Sequence, residues 1–138
     1  MKPPSYDESR TTPLDTDAMI EKRVAELIGH ANLRQMWLLF LDEFDVQLPL
    51  LIPIDGLPPS PDGHTTAVAA NVRELMDDIG AAALIVVWER YGPRALSVDD
   101  TAWARAMAAA CKDEHLGLRA MLLSHRGGVR WLAPDDYL

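Results

Sequence analysis

Cysteine is nearly absent: Cys111 stands alone, so the chain can close no disulfide within itself. A small fold stapled by cystines is thereby excluded, and the usage suits a reducing cytoplasm, the compartment expected here. The same shortage excludes a zinc deaminase, which needs an H-x-E and a P-C-x-x-C. Lysine is scarce as well. Ten of the 13 basic residues are Arg, and the formal charge is −8. So acidic a surface repels phosphate backbones, and nucleic acid is not an expected partner; Arg119, Arg126 and Arg130 read as a solvated edge around a turn. The longest unbroken apolar run, Ala81–Trp88, has eight residues, whereas a membrane-spanning helix needs about 20. Met1–Pro13 has no apolar stretch of the kind that signal peptides carry, and no membrane association is expected. Glycine-rich phosphate loops, a dinucleotide fingerprint and a G-x-S-x-G elbow are missing. Ser124 and His125 are adjacent, and neighbours on a strand point opposite ways, so they do not form a nucleophile and its base.

What is present is enough apolar material for a core: 49% of 138 residues. This length predicts one domain. Residues 1–14, rich in Pro, Ser, Thr and charge, read as a disordered tail, and 15–138 as a single α/β domain. Ile20, Val24, Leu27 and Ile28 make one stripe of a helix over Asp15–Gly29,. Met36–Asp42 and Val46–Ile54 read as a hairpin, its second strand an edge because Pro49 and Pro53 cannot donate to a ladder,. The Pro- and Gly-rich segment Asp55–Gly63 is a connection, after which Thr65 or Thr66 caps a helix that runs to Ile79. Ala81–Trp88 has no polar alternation, which predicts a central strand covered on both faces. A helix over Thr101–His115 buries Trp103, Met107, Ala110 and Cys111, the last as a small apolar side chain,. Leu116–Ser124 and Val129–Leu132 read as two further strands around a Gly-Gly turn, and Ala133–Leu138 as an acidic tail. The expected architecture is αβα layers: a mixed sheet of about five strands with helices on both faces, the layering also found in cytidine deaminases.

In open α/β sheets, sites form beyond the carboxyl ends of the strands, here Glu89–Asp100. Ser97 and Asp100 have the spacing of a capping box,. The central strand runs into Val87-Trp88-Glu89, then seven residues, then Ser97-Val98-Asp99-Asp100. This spacing resembles the JAB/MPN/JAMM superfamily, especially its RadC-like branch, in which an apolar strand enters H-x-H and S-x-x-D opens the next helix. The order of elements and the ending LGLRAMLLSHRGGVRWL are similar in layout, over roughly Met36–Leu132. The resemblance implies a cleft at Val87, Glu89, Ser97 and Asp100. In the family the two His and the Asp bind zinc; here Val87 and Glu89 replace both His, and Asp55 lies only vaguely where the catalytic Glu would be.

The expectation is therefore a degenerate JAMM-like domain that binds or scaffolds without catalysis and without a cofactor. Its partner is an unknown protein, with a second copy of the chain as one option. Trp88, Tyr91, Arg94 and His64 are the candidate binding residues, because aromatics beside Arg anchor interfaces. Two alternatives stay open. One is a rewired metal site of Glu89, Asp100 and His64 serving a hydrolase. The other is a small-molecule sensor using the vacated cleft between Glu89, Arg94 and the 55–64 loop. The plain reading of the same residues is that Glu89 pairs with Arg90 or Arg94 and Asp100 caps a helix.

Overall fold

A computed structural model describes residues 12–138. Its centre is a five-stranded mixed sheet with strand order β2-β1-β3-β4-β5. The strands are β1 Gln35–Leu41, β2 Gln47–Asp55, β3 Ala83–Glu89, β4 Leu118–His125 and β5 Gly128–Trp131. The helices are α1 Asp17–Leu27, α2 His64–Ile79, α3 Val98–Asp113 and α4 Pro134–Tyr137. The middle strand, β3, pairs antiparallel with β1 and parallel with β4. From Leu84 onward every residue of β3 is buried, as an unbroken apolar run requires.

Alternation along β3 divides the core in two. Leu84, Val86 and Trp88 join Val72 and Met76 of α2, and Trp103, Met107 and Cys111 of α3. Ile85 and Val87 join Ile20 and Val24 of α1 on the other face. Burial holds the Cys111 thiol at a pKa of about 11, so it is neutral and behaves as a small core side chain. The β1–β2 hairpin is closed by Asp42, whose carboxylate accepts from the N–H groups of Phe44 and Val46. As its prolines predicted, β2 is an edge strand. Among the described residues, no helix is long and apolar enough to cross a membrane.

Three local expectations need correction. Residues 1–11 of the expected tail lie outside the described residues, but Leu14 is core: it is 2% exposed, and its N–H donates to Asp45 O at 2.8 Å. The C-terminal segment is not a tail either. Asp136 accepts from Arg130 and from the Ala133 N–H, which closes α4 and seats Tyr137 in the core. The cap of α2 is neither threonine. Gly63, at φ +82°, takes that place, a left-handed conformation that glycine adopts without strain, and Thr65, the second residue of the helix, is buried.

The approach to β4 depends on another glycine. A Cβ at Gly117 would lie 2.7 Å from Ala82 O, and the Gly117 carbonyl itself accepts from Leu84 N–H at 2.8 Å. Because the obstacle is backbone, neither side yields without disturbing the β3–β4 entry. Gly117→Ala is expected to cost about 1–3 kcal/mol, read as a lower urea midpoint at unchanged m-value.

Candidate functional site

The carboxyl ends of β3 and β4 meet the N-terminus of α3 and the 56–63 loop. Ser97 caps α3 by accepting from Asp100 N–H at 3.0 Å, while Asp100 accepts from Ser97 N–H at 2.8 Å. The capping box read from the sequence is thus formed. The Asp100 carboxylate does more. Arg90, the first residue beyond β3, donates to it through Nε at 3.1 and 3.2 Å and through Nη2 at 2.8 Å. Arg90 also donates to Pro93 O and Ala95 O, so one guanidinium pins the whole turn from 91 to 97. Burial pushes the Asp100 pKa up, but the hydrogen bonds and charge of Arg90 and the Ser97 bonds outweigh it and hold the carboxyl below its ordinary value.

Glu89 has a different set of partners. It is 5% exposed and accepts from Asn32 N–H at 2.7 Å, Leu33 N–H at 2.9 Å, Gln35 Nε2 at 2.7 Å and Trp37 Nε1 at 2.9 Å. Neither Arg90 nor Arg94 pairs with it. Burial raises its pKa, and these four donors bring it below the ordinary value. Four neutral N–H groups thus hold a buried charge and tie the α1–β1 connection to the central strand.

Beside these residues lies a cavity of about 230 Å³ whose wall includes Trp88, Tyr91, Trp103, Leu57, Pro59 and Arg34. The indoles of Trp88 and Trp103 are 5.7 Å apart between centroids and inclined at 50°. The loop forms a fixed wall. Trp103 Nε1 donates to Pro58 O and Pro59 O, each at 3.1 Å, and Arg34 donates to Leu57 O and Pro58 O. Trp88 is 9% exposed, and its Nε1 has no partner; a buried donor left so costs about 1–3 kcal/mol.

The structure gathers some of the sequence candidates and separates others. Trp88, Glu89, Tyr91, Ser97 and Asp100 all border the cavity. Val87 does not: one residue from Trp88, it is fully buried on the α1 face. Strand alternation is the reason. Register pairs Val87 with Trp37 and Glu89 with Gln35, whereas Trp88 pairs with Met36 of the α2–α3 core. Of the residues at the end of β3, the one that bonds to Asp100 is Arg90, while Val87 lies on the other face and Glu89 is taken by its own four donors. His64 is exposed at the start of α2, its ring against Pro61 O. Arg94 is exposed and outside the cavity wall; its carbonyl accepts from Arg130. Among the described residues, no group of three or more His, Cys, Asp or Glu side chains is placed to hold a metal ion, so Glu89, Asp100 and His64 are not brought together as one.

Sequence reasoning missed Arg34 and Gln35, which no local pattern marks, and His125. That ring is 7% exposed. Its Nδ1 accepts from Gly127 N–H at 3.1 Å, which leaves the proton on Nε2, where no partner meets it. Burial, then the cations of Arg94, Arg90, Arg130 and Arg126, hold its pKa below the ordinary value. Ser124, facing the other way, donates to Gly29 O at 2.6 Å.

No family model matches the chain, and no curated protein matches it significantly.

Two outcomes follow for stability. Glu89→Gln puts an NH₂ group among four donors and is expected to cost about 3 kcal/mol in urea unfolding. For pH the sign is the same for every shifted group in the site. Folded His125 refuses a proton that the unfolded chain accepts below about 6.5, and Glu89 and Asp100 resist protonation that the unfolded chain undergoes near 4,. The stability that these three groups contribute is therefore complete at neutrality. It falls in two steps on acidification, the first removed in His125→Asn, as read by unfolding midpoints from pH 8 to 3.

Proposed function

We propose that this chain is a non-catalytic binding domain, a degenerate member of the JAMM-like αβα folds whose cleft recognises a ligand instead of cutting one. The observation that carries this reading is the occupation of both acidic groups by the protein itself. Asp100 is held by Arg90 and by its own helix cap, and Glu89 by four N–H donors. An aliphatic side chain at 87 lies in the opposite core. A carboxylate that already accepts at both oxygens has little left with which to polarise water or grip a cation. Arg90 brings a fixed positive charge to Asp100, which makes a cation at that spot unfavourable as well.

What remains open at the strand ends is the aromatic and apolar part of the cavity wall, Trp88, Tyr91, Trp103, Leu57 and Pro59, with Tyr91 74% exposed. Pockets of that composition serve recognition. The JAMM-like reading draws on the mixed five-stranded sheet and on the Ser97–Asp100 cap of the helix that follows the central strand; Val87, matched to one of the family's two His, lies in the other core.

A native-state ligand must raise the melting temperature. Zinc or manganese at 100 μM is expected to leave the Tm of the full chain unchanged in differential scanning fluorimetry. A rise of several degrees that Asp100→Asn abolishes would establish a metal site and end this reading.

A further inference from the structure

We propose that the loop after β3 and the β4–β5 turn form a second site, apart from the cavity, where Arg94 and Arg126 bind a small dianionic oxyanion of the phosphate kind.

The fold gathers arginines that the sequence scatters. Arg90 N–H donates to Ser124 O at 3.1 Å, and Arg126 N–H donates to Gly92 O at 3.0 Å. The turn is thus docked on the loop through backbone. The Arg90 guanidinium reaches the same place, its Nη1 lying 3.1 Å from where a Cβ on Gly92 would stand. Two residues further along the loop, Arg130 Nη1 donates to Arg94 O at 3.2 Å. No side chain stands at Gly92, Gly127 or Gly128, and backbone without Cβ atoms lets a ligand approach closely.

Charge decides what such a place holds. Arg90 is paired with Asp100 at 2.8 Å and Arg130 with Asp136 at 3.1 Å. Arg94 and Arg126 are exposed and have no ion-pair partner among the described residues. Two of four neighbouring cations are therefore left without a carboxylate, in a chain of net charge −8. His125 senses the same gathering: after burial, these four arginines are what hold its pKa below the ordinary value. Its ring is buried and takes no part in the contact. A guanidinium fork fits the oxygens of a phosphate two at a time, and two forks suit a dianion. Both side chains lie in water, so the contact is screened and the affinity modest. Arg94 lies outside the cavity wall, so no outcome here bears on the reading of the cavity.

The test titrates inorganic phosphate into the ¹⁵N-labelled full chain at pH 7.5, with ionic strength held constant by sodium chloride. The amide signals of residues 92, 94 and 126–128 are expected to move together and to saturate, with a Kd of about 1–10 mM. In the double variant Arg94→Gln/Arg126→Gln the affinity is expected to fall about tenfold or more. Arg119→Gln, which removes an arginine paired with Asp17 on α1, is expected to leave it unchanged. The dispersion of each spectrum shows that the variant is folded. Phenyl phosphate, titrated in parallel, separates two sources of the dianion. Tighter binding than inorganic phosphate assigns the site to an organic monoester, and equal or weaker binding assigns it to the free ion. Shifts that grow without saturating overturn the inference, as does an affinity that survives in the double variant.

Discussion

Everything at this site follows from one constraint: β3 is buried on both of its faces, so each step along it moves a side chain from one core to the other. Val87 therefore belongs with α1, and Trp88 with α2 and α3, while Glu89 at the end of the strand turns to the α1–β1 connection and β1. A polar residue at the end of such a strand has no water to turn to. Glu89 is stable there because the α1–β1 connection brings two backbone N–H groups, and β1 two side-chain N–H groups, to its oxygens,.

Arg90 is the first residue that escapes the sheet, and its position decides the character of the cleft. Its guanidinium makes bonds to a carboxylate and to two carbonyls of the turn that follows. One side chain thus fixes the loop, completes the cap of α3 and neutralises Asp100. A planar, five-donor cation suits that arrangement; an ammonium could not reach all three partners. The turn from 91 to 97 is held rigid as a result. The opposite wall is held the same way, since Trp103 and Arg34 tie down the 56–63 loop through its carbonyls.

The end of β4 shows a different balance. His125 and Trp88 each bury an N–H without an acceptor, while the neighbourhood of His125 is crowded with arginine charge. In a chain of net charge −8 this concentration is local, and its effect is to keep the imidazole neutral. Backbone geometry sets the tautomer, because the Gly127 N–H claims Nδ1.

Much of this was legible in the sequence. The unbroken run at 81–88 gave the covered central strand, Pro49 and Pro53 gave the edge, and the Ser97–Asp100 spacing gave the helix cap, because each depends on neighbours within a few residues. The fates of Leu14 and Tyr137 were not legible: a polar segment with one apolar residue looks like a tail until the core offers that residue a place. Nor was the face on which positions 87 and 89 would fall. A run apolar at every step hides its own phase, and only pairing with β1 and β4 shows which side chains meet which helix,. By itself the sequence determined the elements and their caps, which are local hydrogen-bonding and periodicity. The partners of Glu89, the joining of Arg90 to Asp100 and the aromatic cavity were decided by tertiary structure alone, since their members come from different segments, Asn32 and Glu89 lying 57 residues apart.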